Sequence, residues 1–157
     1  MSTRYERHPK MNKYLEAFKS EDGKSPIFRT LWDIFYLSFM VGLAADKKTP
    51  EKEWQDKQEI VDDMANYGDK RILLMATLLI KKLNKRGREV KTTQDLQKEL
   101  SDLIDANSMT FNDEGFTLFN EYAYWGFEEI ERRIAKNPSN PGQVFSQIYD
   151  FISNKLG

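Results

Sequence analysis

The chain has 157 residues, with 24 basic and 25 acidic side chains, one histidine and no cysteine. That length fits one ordinary domain, and the missing cysteines exclude a disulfide frame, a thiolate nucleophile and any cysteine-based zinc or iron–sulfur site. The single histidine, His8, excludes His-paired triads and multi-His metal centres, and a net charge of −1 argues against a simple polycation for nucleic acid or membrane.

The N-terminus is charged and no apolar signal segment follows it, so residues 1–9 are expected to be a flexible tail of a cytoplasmic protein. A short first helix is predicted near Met11 to Lys19. Ser25-Pro26 reads as an N-cap followed by proline at the first helical position. The second helix runs from there to about Ala45. Phe28, Trp32, Phe35 and Phe39, spaced 4, 3 and 4, share one face, which Ile27, Leu31, Ile34 and Leu37 widen. It is too short to cross a membrane. Arg29 and Asp33 interrupt it, and the uncharged part from Ile34 to Ala45 is 12 residues, against the ~20 a spanning helix needs.

Asp46 to Asp56 is polar and holds Pro50, which suits a surface connection or a short helix. Gln58 to Tyr67 is expected to be a weaker helix with Ile60, Met64 and Tyr67 on one side. The next helix spans about Lys70 to Lys85 on a stripe of Ile72, Met75, Leu79 and Leu83, with Gly87 as its stop. Thr92-x-x-Asp95 resembles a capping box for a helix to about Asp105, with Leu96, Leu100, Leu103 and Ile104 inward. A long helix follows from Asn112 to about Lys136 on Phe116, Phe119, Ala123, Phe127, Ile130 and Ile134. Pro138 and Pro141-Gly142 break the chain before a last helix carrying Val144, Ile148, Phe151 and Ile152. Arg88 to Lys91 is the one β-like run. The fold expected is all-α, a single domain of roughly six helices around two central apolar ones.

Near-neutrality hides a segregation of charge. Lys70 to Lys91 sums to +7, and Thr92 to Glu131 sums to −9. The sharpest basic run is Lys81, Lys82, Lys85, Arg86, Arg88 and Lys91. Three readings fit it: cations complementing a helix C-terminus and pairing with the acidic segment, a patch that tracks a DNA backbone without base readout, or a dock for an acidic protein.

Catalytic patterns are weak. Asp69 with Glu89-Val90-Lys91 mimics a metal-dependent nuclease set, but a helix separates Asp69 from the rest. Asp62-Asp63 and Glu128-Glu129 are adjacent carboxylates, which diverge by about 100° on a helix and do not chelate one metal unaided. Glu121, Glu128 and Glu131 read as a solvated acidic face. Gly23 and Gly87 form no phosphate-cradling loop, and no motif calls for a cofactor or a metal. Phe111 to Phe127 is dense in aromatics. Tyr122, Tyr124 and Trp125 lie partly off the apolar stripe, which suits either a wide core face or a protein interface.

Two segments carry a resemblance. Pro26-Ile27-Phe28-Arg29-Thr30-Leu31-Trp32-Asp33-Ile34-Phe35 leads through Val41-Gly42-Leu43 into a Lys-rich turn, and Phe119-Asn120-Glu121-Tyr122-Ala123-Tyr124-Trp125-Gly126-Phe127 comes later. Together they resemble the small helical accessory proteins of bacterial DNA phosphorothioation-associated and related phage-defence operons. Tyr124-Trp125 stands where members of that family carry Asn-Gly, and Gly126 corresponds to the second glycine of their motif. The resemblance implies a cytoplasmic, non-catalytic adaptor or subunit that binds partner proteins of a defence or DNA-modification complex and extends to DNA through the basic patch, with homo-oligomers an open alternative. A stand-alone DNA-binding regulator is the alternative function.

Overall fold

The computed structural model describes residues 4–17, 30–60, 68–87, 91–108, 110–133 and 141–156. Six α-helices dominate the described residues: α1 (Met11–Ala17), α2 (Leu31–Ala45), α3 (Gly68–Arg86), α4 (Thr93–Ser101), α5 (Asp113–Arg133) and α6 (Pro141–Leu156). Two small antiparallel ladders accompany them, β1 (Glu6–Arg7) with β2 (Gln58–Glu59) and β3 (Ile104–Asp105) with β4 (Thr110–Phe111). The all-α expectation therefore holds. The chain groups into two compact units, Met1–Tyr5 with Ile60–Phe119, and Glu6–Glu59 with Asn120–Gly157.

In the second unit α2 and the main part of α5 form the centre. The predicted face of α2 is buried at Trp32, Phe35 and Phe39, with Ile34 and Val41 beside it. Phe28 and the Ser25-Pro26 start lie outside the described residues. Among these, α2 opens at Thr30, whose backbone N–H donates to Asp33 Oδ2 at 2.9 Å. Asp33, an unwelcome charge for a membrane helix, is thus a cap. Asp46 ends α2 in the left-handed region (φ 54°), a place usually taken by glycine. Its backbone N–H and that of Lys47 return to the carbonyls of Leu43 and Gly42 at 3.1 and 3.0 Å. Helices α1 and α6 pack against α2.

Glycines set how near α2 and α5 approach. A Cβ added at Gly42 would lie 2.8 Å from the Tyr122 carbonyl carbon, and one at Gly126 would lie 2.7 Å from that of Ser38. No side chain fits there, so the backbones touch. Ser38 removes its own polar group from this contact by donating its hydroxyl to Ile34 O at 2.7 Å.

The first unit holds α3, α4, the β3–β4 ladder and the first turns of α5. Thr92 and Asp95 make the anticipated capping box, with Asp95 N–H to Thr92 Oγ1 at 3.1 Å and Thr92 N–H to Asp95 Oδ2 at 3.2 Å. Gly87 ends α3 at φ 60° as expected. Helix α4 stops at Ser101, four residues early, because Ile104 pairs with Phe111 and Asp105 with Thr110. Leu103 is buried as expected, whereas Leu96 is exposed. Tyr5 packs edge-on to Phe116 and Phe119, with ring centres at 4.9 and 5.6 Å.

One further expectation is corrected. In the described part of the N-terminal segment, Glu6–Arg7 pairs with Gln58–Glu59, and His8 lies on aromatic rings. Gln58–Glu59 is accordingly a strand and not the start of a helix, while Met64 and Tyr67 lie outside the described residues. A two-residue ladder is stabilised by a partner some fifty residues away, which leaves no local period to detect.

Candidate functional site

Two regions were legible as candidates, the aromatic block of α5 and the basic run at the end of α3. The structure treats them differently.

The aromatic block is structural. Tyr122 is 4% exposed and Tyr124 is 2% exposed, so neither offers surface to a partner and the interface reading fails for both. Tyr122 donates its hydroxyl to Asp46 Oδ1 at 3.1 Å. Burial, and then the neighbouring Asp46 carboxylate, push its pKa up to about 12. Tyr124 donates to the Asp56 carbonyl at 3.2 Å and lies flat on Trp54, with ring centres 4.7 Å apart and planes 6° off parallel. Trp54 is anchored in turn by its indole N–H on Thr49 O at 2.8 Å. The connection 46–59, including a short 3-10 turn at Glu51–Glu53, thus straps the aromatic side of α5. The strap is what sequence reasoning missed, because its contacts span about seventy residues. Trp125 keeps part of its surface, and Lys47 Nζ stands 5.6 Å from its ring centre.

The carboxylates of α5 serve the same purpose. Glu121, buried, accepts from Lys48 Nζ at 2.8 Å and from the backbone N–H of Glu51 at 3.2 Å. Glu128 accepts from the Thr49 hydroxyl at 2.9 Å. Glu131 pairs with Lys10 at 3.0 Å. Burial works to raise the pKa of Glu129, but hydrogen bonds from Arg132 and Arg133 outweigh it and the net shift is downward. The expected solvated acidic face of Glu121, Glu128 and Glu131 is instead a set of ties, with Glu121 buried and Glu128 exposed. Among the described residues no cluster of three metal-ligating side chains exists.

His8 packs among aromatic rings. Its ring sits 4.8 Å from Tyr124 and 4.9 Å from Phe127, and its Nδ1 accepts the Lys10 N–H at 3.2 Å. Desolvation lowers its pKa, with Glu131 opposing. The neighbouring Arg7 is buried, and its Nε and Nη1 have no hydrogen-bond partner among the described residues. An open recess of about 430 Å³ is lined by Arg133, Gln147, Asp150, Phe151 and Asn154, with the Arg133 guanidinium 4.2 Å from the Phe151 ring centre.

The basic run is split. Lys82, whose side chain is only 10% exposed, reaches Asp102 at 3.4 Å and Glu114 at 3.6 Å. It ties α3 to the acidic segment. Lys81 is half-buried, whereas Lys85 and Lys91 are exposed. The Arg86 side chain and the whole of Arg88 lie outside the described residues. The nuclease set is not assembled: Asp69 sits in the first turn of α3 and Lys91 follows its far end, about 26 Å of helix away. Glu89 lies outside the described residues.

One feature of α3 had no counterpart in the expected stripe. Leu74, Met75, Leu78 and Leu79 are buried, yet Leu73 is 60% and Ile80 57% exposed. Met75 and Leu79 of the expected stripe are buried and Leu83 is half-buried, while the Ile72 side chain lies outside the described residues; Leu74 and Leu78 join the buried face, and two large aliphatic side chains face outward. Compared with known families, curated proteins and solved structures, the chain matches none.

Proposed function

We propose that this chain is a non-catalytic helical adaptor that binds partner proteins in a bacterial DNA-modification-linked or phage-defence complex. The observation that carries the binding role is the outward pair Leu73 and Ile80, two turns apart on a helix whose opposite face is already buried. The titratable side chains of α5 support it from the other direction. Glu121, Glu128, Glu129, Glu131 and Tyr122 are engaged in holding the fold. The setting rests on the resemblance of residues 26–43 and 119–127, whose Gly42 and Gly126 are the points where α2 and α5 meet.

Tagged at its native locus, an adaptor should elute in a stoichiometric complex with the products of neighbouring genes. A stand-alone DNA-binding regulator would instead retain duplex DNA at low salt, release it steeply as salt rises, and lose it on Lys85→Glu. A chain that elutes alone and binds no DNA would end both readings.

A further inference from the structure

Arg7 carries its charge where the fold makes no use of it. It lies on β1 and is 6% exposed, so its guanidinium is largely out of bulk water. Nε and Nη1 are sealed, with no hydrogen-bond partner among the described residues. Burial lowers its pKa, and among the described residues no neighbouring carboxylate works the other way. A guanidinium does not escape by giving up its proton, as a buried lysine can. A buried cation without a counter-charge is strongly unfavourable, and an unbranched apolar side chain would fill the same space without that penalty.

The β1–β2 ladder is held by other groups. On the face opposite Arg7, Lys57 reaches Glu6 at 3.0 Å and Glu51 at 2.8 Å. The backbones pair at Glu6–Glu59 and Arg7–Gln58. His8, next in sequence, lays its ring on Tyr124 and Phe127. Holding the strand in place therefore does not account for the buried guanidinium, and a sealed polar group of this kind calls for an ion or ligand.

The register supplies an approach. Gln58 stands directly across from Arg7, and such pairs carry their side chains on the same face, with Cβ atoms about 5 Å apart. Gln58 is exposed. One patch of the ladder thus holds a covered guanidinium and, at its solvent edge, an amide with further N–H donors. Nη2, which is outside the sealed pair, shares a fork edge with each of the other two nitrogens.

Charge narrows the ligand. A carboxylate carries one negative charge against the one positive charge of Arg7, and its planar pair of oxygens fits two parallel N–H donors. A phosphate monoester carries about 1.5 to 2 negative charges at neutral pH. The excess would be uncompensated in a covered site, with Glu6 and Glu59 on the other face of the same ladder.

We propose that Arg7 and Gln58 form a binding site for a carboxylate from outside the chain, with Arg7 gripping its two oxygens and Gln58 adding a donor at the mouth. Both residues belong to the second unit, and the site stands independently of the adaptor reading. Two sources share this chemistry, a small organic acid and the C-terminus of another protein.

The test uses the full chain. Side-chain NMR follows the arginine Nε–H signals, and Arg7→Met assigns the one that disappears. Sodium acetate should move that signal saturably, where sodium chloride at equal ionic strength leaves it in place. Acetate should also raise the melting temperature of wild type by mass action, and Arg7→Met should lose that rise. Arg7→Lys, which keeps the charge and loses the fork, serves the same comparison if methionine is not accommodated, and its acetate affinity should fall at least tenfold. Gln58→Ala, at an exposed position, should weaken acetate about fivefold. An N-acetylated glycine–serine peptide with a free C-terminus, beside the same peptide amidated, separates the sources. Binding of the free form more tightly than acetate, with the amide inert, supports a protein terminus; a free form no tighter than acetate supports a small acid. Acetate and chloride acting alike on wild type, inorganic phosphate binding more tightly than acetate, or an acetate response that survives undiminished in the Arg7 and Gln58 variants would each overturn the proposal.

Discussion

Helices α5 and α3 are of similar length, yet they are finished in different ways. From Phe119 to Tyr124 every residue of α5 is buried, and Glu121, Tyr122 and Tyr124 find hydrogen-bond partners in the 46–59 strap. In α3 the burial is one-sided, and the other side shows Leu73 and Ile80 to solvent. What separates them is not charge, since charged residues make up nearly the same share of both helices. It is the presence of a second layer. A helix that the chain itself wraps can carry Tyr and Glu inward, because the strap supplies hydrogen-bond partners. A helix wrapped on one side has to leave its second apolar face either to water or to another molecule.

The contact of α2 with α5 should be the most sensitive test of this contrast. Alanine at Gly126 would gain up to about 1 kcal/mol of helix propensity, but its Cβ would meet the Ser38 carbonyl carbon at 2.7 Å and Gly42 N at 2.9 Å. Backbone cannot move aside as a side chain can, so the net expectation is a loss of about 3 kcal/mol in urea unfolding. A neutral or stabilising Gly126→Ala would mean that the helices do not touch there.

Tyr122→Phe removes one buried hydrogen bond, that to Asp46, and should cost about 1 kcal/mol. Alkali provides a second readout. The folded pKa is raised to about 12 from 10.0, so the stability this phenol contributes is present below pH 10 and is lost as pH rises toward the folded value. The variant should lose less stability than wild type across that interval, and the late phenolate absorbance step should disappear with it.

His8 should give a smaller effect of the opposite sense. Its folded pKa is lowered from 6.5 by desolvation, so the unfolded chain takes up a proton first as pH falls. Stability is full above 6.5 and declines as pH drops from there through the lowered folded value. Protonation would also cost Nδ1 its role as acceptor for the Lys10 N–H. His8→Phe keeps a ring against Tyr124 and Phe127 and should flatten this part of the pH profile, leaving only the carboxylate region below it. An unchanged slope between wild type and variant would show that His8 is solvated.

Much of the framework was legible because it is written in local periods. The 4, 3, 4 spacing through Trp32, Phe35 and Phe39, the Thr92–Asp95 cap and the Gly87 stop each depend on residues within one or two turns of each other. The strap, the β1–β2 ladder and the burial of Tyr122 and Tyr124 depend on residues far apart in sequence, and no period announces them. Helix α3 buries more than its expected stripe for a third reason. Apolar positions are abundant there: Ile72, Leu73, Leu74, Met75, Leu78, Leu79, Ile80 and Leu83 allow more than one stripe, and only the packing selects Leu74, Met75, Leu78 and Leu79. A helix with apolar residues to spare on both sides is itself a signal, and it points to the surface proposed above.

The smallest expected effect on stability is at that surface. Because Leu73 and Ile80 are more than half exposed, replacing either by serine removes little buried area and should change unfolding free energy by no more than about 0.5 kcal/mol. Leu78→Ala, two residues before Ile80 and buried, should cost about 3 kcal/mol. The ratio of the two matters more than either value. If Ile80→Ser destabilises the isolated chain as strongly as Leu78→Ala, the chain covers this face itself and α3 is finished in the same way as α5. If it leaves stability unchanged, residue 80 is an apolar side chain that folding does not require, and its contribution has to lie in what the protein binds.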